Sequence, residues 1–179
     1  LDTYNQESFS FGLNGIKYLC FVDIYNESND EINIIEVKAT TSRKFKKINY
    51  SIDKTEYPLF IKNNYFYELA NDPKLSKNYS EKVNMLLNRF IAEGKYIYDL
   101  SVQRYIIEGY LKENNVNKKV NYYLAVLNNE YVYDGYKENG KRVYRTDENG
   151  NDIIDFYKLN DLTQMYQTII DDDRKSLES

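Results

Sequence analysis

The chain has 179 residues, 42% of them hydrophobic, with a net charge of −4. That suits one globular domain with a buried core and gives no overall electrostatic pull toward nucleic acid. It contains no His and a single Cys, which excludes Ser-His-Asp and Cys-His nucleophiles, zinc centres and Cys-ligated iron–sulfur clusters. Chemistry is left to carboxylates, Lys, Tyr, hydroxyls, amides and a hard metal ion.

Cys20 lies in an apolar run and reads as a small core residue. The lack of a disulfide framework points to the reducing cytoplasm. No run approaches the ~20 apolar residues of a membrane span, and no Gly-rich phosphate loop is present, so neither a membrane nor a nucleotide cofactor is expected. The opening on Leu1 rather than Met predicts a fragment of a longer protein.

In chain order, Phe9, Phe11 and Leu13 alternate as a strand, and Asn14-Gly15 is a strong hairpin signal. Residues 16–25 and 31–39 read as two further strands, predicting a three-stranded antiparallel meander. Residues 43–95 look like a largely helical insertion. Within it, residues 80–93 form an amphipathic helix with Ser80 as N-cap and Gly94 as terminator. Asp99 is placed as the N-cap of a second helix over 100–112. Residues 120–127 are a strong strand. Shorter strands over 132–134, 142–145 and 153–158 make a small β-rich C-terminal extension, and a terminal helix over 162–175 starts with an Asp161/Gln164 capping box. The order predicts a single α/β domain over 1–179, more finely an α+β fold with a mixed sheet.

Charged residues inside the apolar hairpin stand out. Asp23 follows Leu19, Phe21 and Val22; Glu36 and Lys38 follow Ile32, Ile34 and Ile35. Charges on a buried-looking strand are costly unless paired or bound. A tight turn at Asn29-Asp30 puts Asp23 directly opposite Glu36. A turn at Ser28-Asn29 puts it opposite Ile34, diagonal to Glu36. Either way Asp23, Glu36 and Lys38 share one face, because side chains alternate with period two. Two carboxylates and a lysine so placed suit Mg²⁺ or Mn²⁺ and phosphate chemistry. A structural ion-pair cluster on an exposed sheet face is the competing reading.

Asp23, then Glu36-Val37-Lys38 at the end of an Ile-rich strand, resembles the signature of the PD-(D/E)XK nuclease superfamily. Asp99-Leu100-Ser101-Val102-Gln103 is similar to the glutamine-bearing helix of its RecB-like exonuclease branch. The Glu36-Val37-Lys38-Ala39-Thr40-Thr41 run, that helix, and Leu127-Asn128-Asn129-Glu130-Tyr131-Val132 together resemble a bacterial domain family of unknown function in that branch. The resemblance implies a restriction-endonuclease-like core and a Mg²⁺- or Mn²⁺-dependent nuclease cutting DNA, or RNA. It implies Asp23 and Glu36 as metal ligands with the Val37 carbonyl as a third, Lys38 as catalytic lysine, and Gln103 positioning substrate or water. The branch usually has a tyrosine where this chain has Ile107; Tyr110, on the same helical face, is the nearest substitute.

Between positions 38 and 63, seven Lys or Arg face two acids. Arg43, Lys44, Lys46 and Lys47 are the candidate phosphate-backbone contacts, against the reading of a solvated basic loop. A catalytically inactive nuclease fold that binds nucleic acid or a protein partner is the alternative function. A Tyr-rich glycan-binding module is disfavoured by the absence of Trp.

Overall fold

The computed structural model describes residues 7–71 and 76–179. Asn14 and Gly15 adopt φ of 53° and 77°, the doubly positive geometry whose twist suits a two-residue hairpin. They join β1 (Glu7–Leu13) to β2 (Ile16–Val22). The chain bends at Asp23, resumes as β3 (Ile24–Glu27) and turns at Asn29-Asp30 into β4 (Glu31–Thr41).

The expected strand over 16–25 is therefore two strands, and the meander is two hairpins in separate sheets. The break has a cross-strand cause. Asp23 Oδ2 accepts the Val37 N–H at 2.9 Å, so a side chain takes the place of a backbone acceptor at that rung. Hairpin β1–β2 leaves the sheet and lies on helix α3 (Ala92–Glu113). There the Phe11 ring covers Gly109 so closely that a Cβ would stand 2.8 Å from it.

After β4 come α1 (Arg43–Lys46), β5 (Asn49–Ile52), β6 (Thr55–Pro58), β7 (Phe60–Asn63), β8 (Phe66–Leu69) and α2 (Lys77–Leu86). After α3 come β9 (Lys119–Leu127), β10 (Lys137–Glu138), β11 (Lys141–Arg142), β12 (Ile154–Lys158), α4 (Asn160–Met165) and α5 (Gln167–Glu178). The main sheet has six strands in the order β3-β4-β9-β12-β8-β7. The β4–β9 and β12–β8 pairs are parallel and the others antiparallel, giving an α+β fold with a mixed sheet. Among the described residues no helix is long and apolar enough to cross a membrane.

Residues 43–95 are helical only in part. They carry four strands, two of which extend the main sheet. Phe45 and Phe60 pack on Tyr157 of β12 with ring centroids 4.9 and 5.3 Å away, so this segment builds core.

The helices also differ from expectation. Ser76, not Ser80, caps α2 by accepting the Tyr79 N–H at 3.0 Å. Asp99 is no N-cap; it lies about two turns inside α3. Gly94 sits in the first turn of α3 because nothing larger fits: a Cβ there would stand 1.9 Å from the Asn88 carbonyl oxygen. The Asp161/Gln164 capping box is absent, since Leu159 is the N-cap and Gln164 Oε1 instead accepts from Arg104 Nη2 at 2.6 Å. The terminal helix breaks at Tyr166, whose hydroxyl donates to the Leu86 carbonyl at 2.7 Å. Residues 132–134 form no strand, and the 142–145 strand shrinks to the two-residue β11.

The core lies between the sheet and α3. Ile97, Leu100, Ile106, Ile107 and Leu111 face Ile32, Ile34, Tyr122 and Leu124 in one buried cluster. Gly94→Ala forces a backbone oxygen to move and is expected to cost about 1–3 kcal/mol. Urea unfolding should show a lower midpoint at unchanged slope, whereas Gly140→Ala, with open space around its Cβ position but φ of 77°, should cost no more than its backbone strain.

Candidate functional site

Along β4 the residues facing α3 are Ile32, Ile34, Glu36 and Lys38. The first two are 1% and 0% exposed, so the strand is apolar until it reaches the carboxylate. Ile24 pairs with Ile35, and the same register carries Asp23 opposite Glu36. This is the outcome of the turn at Asn29-Asp30. The β4–β9 ladder then slips: Val37 pairs with Ala125, but the next pair is Thr41 with Leu127. Lys38, Ala39 and Thr40 thus bulge opposite one residue, a distortion that re-aims side chains at sheet margins.

Helix α3 closes the site from above. Gln103 Nε2 donates to Glu36 Oε2 at 2.6 Å. Ile106 and Ile107 beyond it are buried in the core, so Gln103 is the polar exception on a docked face. Lys38 Nζ lies 3.5 Å from Glu36 Oε1 and 3.0 Å from Asp99 Oδ2, with the Tyr96 ring centroid 5.7 Å away. Gln103 Oε1 is buried and has no hydrogen-bond partner among the described residues.

Burial chiefly pushes the Glu36 carboxyl above the usual range, and the adjacent Asp23 charge adds to this, while the Gln103 hydrogen bond and the Lys38 charge oppose it. For Lys38, burial works against the ammonium. The hydrogen bond and charge of Asp99, with the charge of Glu36, outweigh it and hold the pKa above the ordinary lysine value. Burial pushes the Cys20 thiol up to about 11, which leaves it protonated and inert as a nucleophile.

Not every expected residue joins this cluster. Arg43, Lys44 and Lys47 are exposed in and just after α1. Lys46 is turned inward: its Nζ lies 3.0 Å from Asp155 Oδ2 and donates to Asn128 Oδ1 at 2.8 Å. Val37 contributes its N–H to Asp23, and its side chain faces outward, 46% exposed. Tyr110 packs edge-on against Phe9, with centroids 5.4 Å apart, as part of the hairpin seat. Asp99 is the residue that sequence reading misassigned. Its spacing of four from Gln103, which puts both on one helix face, was the available signal.

Among the described residues no group of three or more His, Cys, Asp or Glu converges on a metal position. The carboxylates of the cluster are Glu36 and Asp99, which meet Lys38, and Asp23, which stands opposite Glu36. The sequence matches no family model, and comparison with curated proteins and with solved structures yields no match.

A carboxyl whose pKa is higher folded than unfolded stabilises the fold below the unfolded pKa and loses that contribution as pH rises through the folded value. Glu36→Gln should therefore raise the urea midpoint of the metal-free protein at pH 7, with the gain fading as pH falls toward about 4.3, the unperturbed value. An equal gain of Glu36→Gln over wild type at pH 7 and pH 4 would contradict this electrostatic account. Lys46→Ala should behave oppositely. It strands the buried Asp155 charge, is expected to cost about 3–5 kcal/mol, and will lower thermal stability where Arg43→Ala and Lys44→Ala leave it unchanged.

Proposed function

We propose that the chain is a Mg²⁺- or Mn²⁺-dependent phosphodiesterase that hydrolyses the DNA backbone, on a restriction-endonuclease-like core of the RecB-like exonuclease type. The observation that carries this reading is the meeting of Gln103 with Glu36 at 2.6 Å, beside Asp23 and Lys38. Four residues separated by up to 80 positions come together in the order the nuclease resemblance requires.

The side chains fit a hard divalent ion. The donors are all oxygen, the two carboxylates repel one another across the hairpin, and a buried amide oxygen of Gln103 lacks a donor. Asp23 and Glu36 would hold the ion, with Val37 contributing its backbone. A bound divalent ion neutralises a phosphate oxygen and makes water a better nucleophile near neutral pH.

The chain's own groups supply the rest. Lys38 presents an ammonium where negative charge builds on the phosphate in the transition state. Gln103 fixes the rotamer of Glu36. Arg43, Lys44 and Lys47 offer exposed cations to the phosphate backbone just past the end of β4, while Lys46 serves the interior. The bend at Asp23 and the bulge after Val37 open the sheet margin where a strand of nucleic acid approaches.

One observation favours the second reading, a nuclease-fold domain that binds nucleic acid without cutting it: among the described residues no group of three or more His, Cys, Asp or Glu is arranged to hold a metal ion. Titration of single- and double-stranded DNA cleavage with Mn²⁺ separates the two. Lys38→Ala is expected to lower turnover by ~10²–10³-fold while calorimetric Mn²⁺ affinity holds or tightens. Asp23→Asn should weaken Mn²⁺ binding itself. Retained DNA affinity with no cleavage at any metal concentration would favour the second reading.

A further inference from the structure

The ammonium of Lys38 has two anionic partners, and the nearer one belongs to neither the hairpin nor the acidic pair. Asp99 Oδ2 stands 3.0 Å from Lys38 Nζ, against 3.5 Å for Glu36 Oε1. Asp99 and Gln103 are four residues apart on α3, which rises about 6 Å over that interval. Glu36 and Lys38 are two residues apart on β4, which rises about 6.6 Å. The two spacings match, with the helix running opposite to the strand. One turn of α3 therefore reads two consecutive inward positions of β4: Gln103 takes Glu36 and Asp99 takes Lys38.

We propose that Asp99 is the positioning residue for Lys38, holding its ammonium over the reactive face when Glu36 turns its charge to a cation. The assignment rests on the nuclease reading above. A lysine is a compact charge on a flexible four-carbon stem. A divalent ion held by Asp23 and Glu36 repels that charge and removes Glu36 as its partner. With nothing on the far side, the side chain swings toward solvent. Asp99 supplies the opposing anion on the far side, and the Tyr96 face 5.7 Å from Nζ limits the remaining direction. Gln103 does the same service for Glu36, so α3 sets the orientation of both charged residues of β4 through a single helix–strand register.

The test uses Asp99→Asn and Asp99→Glu, each alone and with Lys38→Ala, in the full 179-residue chain. Mn²⁺ affinity by calorimetry should stay within about twofold of wild type in Asp99→Asn, since Asp99 is not a ligand. Its kcat should fall by about 10–100-fold, the scale of a misplaced catalytic group, with KM unchanged. Asp99→Glu should recover part of the loss. In the Lys38→Ala background Asp99→Asn should add nothing further. An additive loss in that background, or wild-type kcat in Asp99→Asn, overturns the assignment. If the wild type binds DNA but never cuts, the nuclease reading fails separately, and the ¹⁵N resonance of the Lys38 ammonium decides. A slowly exchanging signal kept in Glu36→Gln and lost in Asp99→Asn supports Asp99 as the seat; one that survives Asp99→Asn overturns it.

Discussion

A carboxylate sits on the buried face of β4, and the arrangement around it follows from the need to accommodate that charge. Ile32 and Ile34 precede Glu36 on the same face and are almost wholly enclosed. The strand therefore drives itself under α3 by burying apolar surface, and it carries Glu36 along. An uncompensated carboxylate there would cost several kcal/mol. Gln103 and Lys38 offset part of that cost, and Asp99 in turn satisfies Lys38. The rotation and height of α3 on the sheet are thereby tied to charged groups as well as to its apolar stripe. Burial, with the charge of Asp23 opposite adding to it, keeps the compensation incomplete, and Glu36 is left less willing to ionise than an ordinary glutamate. The charge around Glu36 is thus only partly balanced by the chain's own groups.

A second polar network lies further along the same strand and does the opposite. Ser42 and Asp155 are buried, with Ser42 Oγ donating to Asp155 Oδ2 at 2.6 Å. Lys46 reaches the same carboxylate, and Asn128 bonds both Lys46 and the Asp152 carbonyl. Here every charge has a counter-charge and every amide a partner, so the network fastens α1 to the ends of β4, β9 and β12. This gives a structural role to part of the basic cluster and to Asn128 in the Leu127–Val132 segment. The contrast between the two networks is physical. One is closed and satisfied; the other holds an orphan amide oxygen and an over-full pair of carboxylates.

Backbone irregularity is concentrated at the unsatisfied network. The bend between β2 and β3 falls on Asp23, and the slip in the β4–β9 ladder begins after Val37. Both interrupt regular pairing within two residues of Glu36. The hairpin that leaves the sheet at Asp23 is secured at a distance: Tyr18 and Asn14 donate to Glu178 of α5, and Arg174 holds the same carboxylate. The C-terminal helix thus keeps the departing hairpin in place, and through it the position of Asp23.

By itself, the sequence determined whatever depends on local chemistry and on parity. Asn14-Gly15 forces a hairpin, because few other pairs tolerate two positive φ values. Given a tight two-residue turn in the polar loop after Glu27, parity puts Asp23, Glu36 and Lys38 on one face, and the structure forms that turn at Asn29-Asp30. The missing His and the lone Cys dictate an oxygen-rich site. What only the tertiary structure decided depends on contacts between distant segments. The pattern of residues 16–25 does not announce a break at Asp23, because the break needs the Val37 N–H of another strand. Gly94 resembles a helix terminator until Asn88 is seen to occupy the space of its Cβ. Residues 43–95 look like an insertion because Phe60 and Tyr67 pack on Tyr157 of β12, about 90 residues later. Lys46 is indistinguishable from its basic neighbours until Asp155 is brought beneath it. Asp99 reads as a helix cap on composition, and its pairing with Lys38 exists only because a turn of helix and two residues of strand rise by nearly the same distance.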